Sequence, residues 1–429
     1  MGCGGTKDAL ARSGIAELNP VIAAATVSAE KTLVFKGDII SAVAEFVPNN
    51  DFLFFASVCR NWRKAWRQRP TVTRATTAHT SVPQLLHSFE CGLPKSSAIC
   101  DGLAWNGNLQ VLKEARRNGC RLTRSSLAKA AESGQLHVLR WAHKRGFLDN
   151  HADLCSAAAG GGQLTVLKWL REHGCTWTWH TCRRAAEGGH LGVLMWARAN
   201  GCSWNCQTMA GAAGGGYLDI LEWLRENNCP WDSTTCQRAA QGGHLDVLKW
   251  AVEQECHWDA CTCAGAARGG HLDILRWAKE NHCPWDWTTC RAAAAQGRLD
   301  ILRYARENAC PWNPYCCYEA AKGGHLDLLE WARENGCPWS PTTCSGAVEG
   351  GHLEILQWAR ARGCPWDGRT CEAAALNGRL DILKWARENG CPWSGWRCYF
   401  AAEGNKQNHI VDWIGLFAAR NDSMFSLLH

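Results

Sequence analysis

The sequence lacks any apolar run long enough to span a membrane. Its opening stretch, Met1 to Leu10, has no apolar core of the kind that marks a secretory signal. A strong excess of one charge is missing too, because the formal net charge is +6 over 429 residues. So mild a positive charge does not predict a nucleic-acid footprint. These absences favour a cytoplasmic protein that binds no nucleic acid.

Motifs for catalysis and for metal binding are also missing. No Cys-x-x-Cys pair is followed by a second pair at zinc-finger spacing, although there are 26 cysteines. The glycine runs at 160–162 and 214–216 lack the lysine and serine of a phosphate loop. A histidine recurs in the motif Gly-His-Leu-Asp, as at His244 and His271, so it serves each copy of the motif rather than one site. We therefore predict no catalytic residue, no metal and no cofactor.

What the sequence has is a repeat. An aromatic residue marks it at 27-residue steps, with Trp141 and Trp413 one residue out of step. Such a period predicts a solenoid of similar helical units. The first-helix core position of each unit gives about twelve repeats: Cys100, Leu127, Cys155, Cys182, Met209, Cys236, Cys263, Cys290, Cys317, Cys344, Cys371 and Cys398. We expect the divergent first and last units to cap the array.

One unit predicts a pair of helices. Asp232 is placed to cap the first helix, which we expect to run from about Ser233 to Gln241. Gly242-Gly243 then breaks the chain for a tight turn. The second helix begins near His244, and in several copies it ends at an Asn-Gly pair that favours a left-handed stop.

The cysteines recur at two positions of the unit, one in the first-helix core and one in the loop. Leu127 and Met209 replace cysteine at the core position, which indicates a need for a buried apolar side chain. We therefore favour reduced thiols in a cytosolic protein over disulfides. Tryptophan pairs such as Trp231 and Trp250 are interpreted as packing in the core and between repeats.

The unit resembles an ankyrin repeat. The likeness lies in the Thr-x-Cys/Leu-x-x-Ala-Ala core, in the Gly-His-Leu-Asp/Glu-Val/Ile-Leu run, and in Gly-Cys where ankyrins have Gly-Ala, over residues 98–415. Ankyrin repeats are longer, about 33 residues. The missing residues fall where ankyrins place a β-turn finger. The resemblance implies an all-α solenoid of helix-turn-helix repeats with shortened or absent β-hairpins, which binds a protein.

A different composition precedes the repeats, and it resembles an F-box. The likeness lies in the Asp-Phe-Leu start at 51–53 and in the Val-Cys-Arg-x-Trp-Arg end at 58–63. The Leu-Pro opening of that family is absent. The resemblance implies binding to an adaptor of a cullin-type ubiquitin ligase through Phe52, Leu53, Val58, Cys59 and Trp62. The alternative is a helical cap that closes the solenoid.

The chain opens with Met-Gly-Cys-Gly-Gly-Thr, which fits a pattern for N-myristoylation of Gly2 with a second acyl chain on Cys3. A Gly-rich start without modification is the alternative. We expect four segments: a flexible N-terminus at 1–32, an F-box-like helical segment at 33–70, a degenerate bridging repeat at 71–97, and the repeat array with its divergent cap at 98–429. Acylation would associate this cytoplasmic protein with membranes.

Function is expected where the copies differ. Aromatic and arginine residues vary along one face of the first helices, and such residues are typical binding anchors. Neutral drift on a solvated face is the alternative. We predict that a monomer binds its protein partner on a concave surface through Trp179, His180, Arg183, Arg184, Gln237, Arg238, Trp287, Arg291, Tyr315, Tyr318, Arg369, Glu372, Trp396 and Tyr399. A membrane-tethered scaffold without a ligase role is the rival hypothesis.

Overall fold

The computed structural model describes residues 81–90, 92–148 and 152–420. The chain divides into two compact units, one of 1–103 with 108–122 and one of 104–107 with 123–429. The adaptor-binding residues predicted between Phe52 and Trp62, and the lipidation sites Gly2 and Cys3, lie outside the described residues. Among the described helices none is both long and apolar enough to cross a membrane.

The first unit contributes three described helices. In α1 the side chain of Leu85 is fully buried, and the chain turns at Gly92, whose φ is +93°. Helices α1 and α3 contact each other. The bounds are α1 Val82–Glu90, α2 Ser97–Trp105, whose last two residues belong to the second unit, and α3 Leu109–Arg117.

The second unit is an all-α stack of helix pairs, and with α2 and α3 the described chain holds twelve pairs and no strand. Its helices are α4 Arg124–Glu132, α5 Leu136–Lys144, α6 Ala152–Gly160, α7 Leu164–Glu172, α8 Trp179–Glu187, α9 Leu191–Ala199, α10 Cys206–Gly215, α11 Leu218–Glu226, α12 Ser233–Gly242, α13 Leu245–Glu253, α14 Ala260–Gly269, α15 Leu272–Glu280, α16 Trp287–Ala295, α17 Leu299–Glu307, α18 Pro314–Gly323, α19 Leu326–Glu334, α20 Pro341–Gly350, α21 Leu353–Ala361, α22 Gly368–Leu376, α23 Leu380–Glu388, α24 Gly395–Gly404 and α25 Asn408–Arg420.

Capping residues set the helix ends as predicted. The carboxylate of Asp232 accepts a hydrogen bond from the backbone N–H of Thr234 at 3.0 Å, which satisfies a free amide of the first turn. Gly243 ends α12 with φ +85°, a left-handed conformation that glycine adopts without steric cost. Gly336 ends the second helix of its repeat in the same way, with φ +82°.

The core is built from small side chains on the first helices and larger ones on the second helices. Cys236, Ala239, Val247 and Leu248 are all fully buried in one repeat. Within the second unit each first helix contacts its own second helix and the first helices before and after it. Small residues permit this close approach: a Cβ added at Gly265 would lie 2.5 Å from the carbonyl oxygen of Gln237.

The described cysteines are free thiols, and nearly all of them are buried. Burial raises the pKa of Cys155 and of Cys229 to about 12, so these thiols stay protonated at neutral pH. Loop cysteines also donate weak hydrogen bonds to the repeat before. The Sγ of Cys310, for example, lies 3.2 Å from the carbonyl oxygen of Asp286. The loop cysteines therefore link successive repeats as well as fill space.

The prediction that the tryptophan pairs belong to the core is wrong. Most of their rings are half-buried at the surface. Trp231 packs on Trp250 with ring centroids 6.0 Å apart, and the guanidinium carbon of Arg225 lies 4.1 Å from the Trp231 centroid. A cation over an indole face is favourable, and the charged group remains hydrated. Cation–indole distances of 4.0 to 4.5 Å recur at Arg171–Trp177, Arg198–Trp204, Arg225–Trp231, Lys279–Trp285, Arg306–Trp312, Arg333–Trp339, Arg360–Trp366 and Arg387–Trp393.

The recurring histidines serve the packing of turns. The ring of His271 lies against Gly243 in the turn of the preceding repeat, where an added Cβ would come within 2.5 Å of it. His190 also makes a hydrogen bond through Nε2 with the carbonyl oxygen of Gly160, at 3.1 Å. Arg298 packs on Gly270 in the same way, so the position needs a flat group rather than an imidazole.

Candidate interaction surface

The variable residues lie on one exposed face of the first helices, which we call the first-helix ridge. It consists of the first, second, fifth and sixth residues of each first helix. In α12 these are Ser233, Thr234, Gln237 and Arg238, all half-exposed. The third and fourth residues and the Ala-Ala pair that follows are buried between helices. Where these positions carry larger side chains, as in α12, the side chains reach solvent, while the frame beneath them stays nearly constant.

At α8 the ridge carries a stacked aromatic pair and an ion-pair network. The rings of Trp179 and His180 stack with centroids 3.7 Å apart. Arg184 reaches the carboxylate of Glu132 on α4 at 3.3 Å and that of Glu187 at 3.5 Å. Exposed ion pairs of this kind contribute little to stability, but they leave the α8 ridge with balanced charge.

The largest grouping of predicted residues is on α16 and α18, and we call Trp287, Tyr315 and Tyr318 the aromatic patch. The ring centroids of Trp287 and Tyr315 are 6.1 Å apart, and those of Tyr315 and Tyr318 are 6.2 Å apart. Tyr315 is 51% exposed. Arg291 places its guanidinium carbon 5.5 Å from the Trp287 centroid. The structure thus brings together four residues that the sequence assigned to binding.

A hydrogen-bonded triad holds one edge of the aromatic patch in place. The hydroxyl of Tyr318 donates to the carboxylate of Glu349 on α20 at 2.7 Å, and the ammonium of Lys322 donates to the same oxygen at 2.8 Å. Hydrogen bonding to Glu349 raises the pKa of Lys322, so this ion pair persists across the physiological range. Burial raises the pKa of Tyr318, whose hydroxyl stays protonated as a donor.

A third grouping lies on α24. The rings of Trp396 and Phe400 stack with centroids 5.5 Å apart, and Tyr399 meets Phe400 edge-on at 5.7 Å. Phe400 is 58% exposed, and sequence reasoning missed it. Its position in the repeat matches that of Arg238, so the alignment of repeats contained the signal.

The other predicted residues are not gathered into these groups. Gln237 and Arg238 lie on α12, and the exposed Arg369 lies on α22. Glu372 forms an ion pair with Arg397 at 3.3 Å. The ridge therefore presents three separate aromatic groupings, on α8, on α16 with α18, and on α24, rather than one continuous site.

Chemistry elsewhere on the described residues is sparse. No group of three or more His, Cys, Asp or Glu side chains in the described ranges could hold a metal ion. A shallow cavity of about 340 Å³ lies at two neighbouring turns and is lined by Gly297, Gly324, His325 and Asp327. Both of its ionisable residues belong to the recurring turn motif, which ties them to the repeat rather than to a unique site.

Comparison with known proteins gives no family. No protein-family model matches the sequence, and a search of curated proteins finds no match. Among solved structures, the human ASB11 ankyrin repeat domain is similar at 16% identity and a TM-score of 0.29, over 37% of this chain and 84% of that one. The maize pentatricopeptide repeat protein PPR10 is similar at 12% identity and a TM-score of 0.30, over 94% of this chain and 69% of that one.

The same repeat protein in complex with an 18-nucleotide psaJ RNA element is similar at 12% identity and a TM-score of 0.29, over 89% of this chain and 67% of that chain. These structures are arrays of helical repeats, as this chain is. At this distance neither protein says what this chain recognises.

Proposed function

We propose that this protein is a non-catalytic binding scaffold whose ankyrin-like repeats hold a protein partner on the first-helix ridge. The observation that carries the proposal is the contrast between frame and ridge. The buried positions are almost uniform from repeat to repeat, whereas the ridge gathers exposed aromatic and arginine side chains into groups. Exposed tyrosine, tryptophan and arginine dominate binding energy at protein interfaces.

The aromatic patch tests this proposal. A photoreactive benzoylphenylalanine at Tyr315 should cross-link a partner protein, which mass spectrometry identifies. The same probe at Met195 on the second helix α9, which is 45% exposed and therefore a matched site, should not.

The purified partner should bind the Trp287→Ala/Tyr315→Ala variant about tenfold more weakly, as loss of central aromatic anchors predicts. Its affinity for Met195→Ala should be unchanged. Equal cross-linking from Met195, or cross-linking to RNA alone, contradicts the proposal.

We further propose that the F-box-like segment at 33–70 recruits the adaptor of a cullin-type ubiquitin ligase, so that the repeats act as its substrate receptor. The support is the sequence Val58-Cys59-Arg60-Asn61-Trp62-Arg63. The full chain should co-purify with the adaptor, and Trp62→Ala should abolish this. A chain that never retains the adaptor leaves a binding scaffold without a ligase role.

A further inference from the structure

Three arginines on successive first helices have no acidic partner among the described residues. Arg238 on α12, Arg268 on α14 and Arg291 on α16 reach the surface, and no carboxylate of the described residues lies within 4.0 Å of their nitrogens. On the first helices at either side, charges are paired, as in Arg184 with Glu132 and Lys322 with Glu349. The surface from α12 to α16 therefore holds cationic side chains that no carboxylate of the described residues neutralises.

Between these arginines the surface is low. Ala264 on α14 is only 6% exposed, and Ala292 on α16 is only 3% exposed. Gly265 brings the backbone of α14 against Gln237 of α12. A floor of such small side chains lets the backbone of a bound chain approach closely, while the arginines stand at its edges.

The aromatic patch adjoins the last of the three arginines. Arg291 lies over the Trp287 ring, and Tyr315 presents half of its surface to solvent beside it. An apolar side chain of a ligand could be buried there after its acidic groups had met the arginines. Charge and apolar contact thus follow one another along the same row of helices.

The spacing fits an extended peptide. Packed helices stand about 8–10 Å apart, and an extended chain rises about 3.3 Å per residue. Every third residue of such a peptide would therefore meet the next repeat. Carboxylates are the natural partners of guanidinium groups, which bind them in a bidentate geometry.

Fixed negative charges on the same helices disfavour a nucleic acid. The N-cap carboxylates of Asp232, Asp259 and Asp286 precede α12, α14 and α16, and each of them accepts a hydrogen bond from a backbone N–H. A phosphate backbone carries a charge at every nucleotide and would repeatedly approach them. A peptide can place neutral residues there instead.

On this basis we propose that the surface formed by Arg238, Arg268, Arg291 and the aromatic patch binds an extended acidic peptide segment. Its carboxylates would be three residues apart, followed by an aromatic or aliphatic anchor. This inference rests on the proposed function and names the chemistry of the protein partner.

The test uses the full-length protein and fluorescein-labelled peptides of about twelve residues, followed by fluorescence anisotropy. The probe carries glutamate at every third position between glycine and serine and ends in phenylalanine. It should bind at least about tenfold more tightly than the same peptide with glutamine, and its affinity should fall as salt screens the charges. Single-stranded oligouridine is the competing probe.

Matched charge removals locate the site. Arg238→Gln/Arg268→Gln/Arg291→Gln should weaken binding of the acidic peptide about tenfold or more. Arg276→Gln/Arg303→Gln/Lys384→Gln removes the same charge from exposed residues of second helices and should leave binding unchanged. Circular dichroism and thermal unfolding verify that both variants fold. Equal binding of the glutamine peptide, equal losses in the two variants, or tighter binding of oligouridine overturns the inference. If a partner still cross-links from position 315 in that case, the proposed function stands and only the acidic chemistry is wrong.

Discussion

Replacing Leu302 with alanine is expected to lower the free energy of unfolding by about 2–5 kcal/mol, as for other buried leucines. Leu302 is fully buried on the second helix α17, so its truncation leaves a cavity in the interior. Glu307→Ala, at an exposed position of the same helix, is the control. Its effect should stay within about 0.5 kcal/mol. Urea denaturation measures both.

The loss should also be local, because the helices of each repeat pack chiefly against those of the repeats on either side. Hydrogen exchange in Leu302→Ala should accelerate first in α16 to α19, near the middle of the array. The same substitution at Leu383, which is fully buried on α23 near the end, should accelerate exchange only from about α22 onward. A uniform acceleration along the whole stack in both variants would contradict nearest-neighbour stability.

Helix boundaries were predictable because local chemistry determines them. Asp232 can cap only the helix that follows it, and Gly243 can take the left-handed conformation that ends that helix whatever surrounds it. Because the sequence repeats every 27 residues, a capping residue at the same position and the same glycine stop set the helix ends in most repeats. Where glycine is missing from the second stop, the backbone keeps the same conformation: Glu255 and Ala309 both have φ +61°.

The environment of the tryptophans was not predictable from their apolar character. Trp231 is covered by the guanidinium of Arg225 rather than by the core, because the end of the second helix turns that arginine back over the loop. The signal was nevertheless present. A cation precedes the loop tryptophan by six residues in most repeats, and Lys279 replaces arginine without breaking the pattern.

The pairing of the ridge arginines depends on distant repeats, which explains why sequence reasoning could not separate them. Arg184 and Arg238 occupy the same position of their repeats. The side chain of Arg184 crosses Gly160 and reaches Glu132 two repeats away. A Cβ added at Gly160 would lie only 3.0 Å from the Arg184 guanidinium group. The corresponding acid for Arg238 is Glu187, which is already paired with Arg184. One arginine is neutralised and the other is left for a ligand.

Substitution of a single glycine by alanine should separate helix propensity from the packing of repeats. Gly350 is the last residue of α20, and an added Cβ would lie 2.2 Å from the carbonyl oxygen of Lys322 in the preceding first helix. Since backbone cannot move aside as a side chain can, Gly350→Ala should lower the free energy of unfolding by about 1–3 kcal/mol.

Gly404 provides the matched control, because it ends α24 at the same position of the repeat and an added Cβ would have no atom within 4 Å. There alanine keeps only its advantage in helix propensity, at most about 1 kcal/mol, so Gly404→Ala should be neutral or stabilising. Urea denaturation of the two variants should therefore give free-energy changes of different size and opposite sense. If Gly350→Ala is as stable as Gly404→Ala, the first helices do not approach as closely as described. The explanation for the recurring pattern of small residues on the first helices would then fail, because it rests on the close contact between successive first helices.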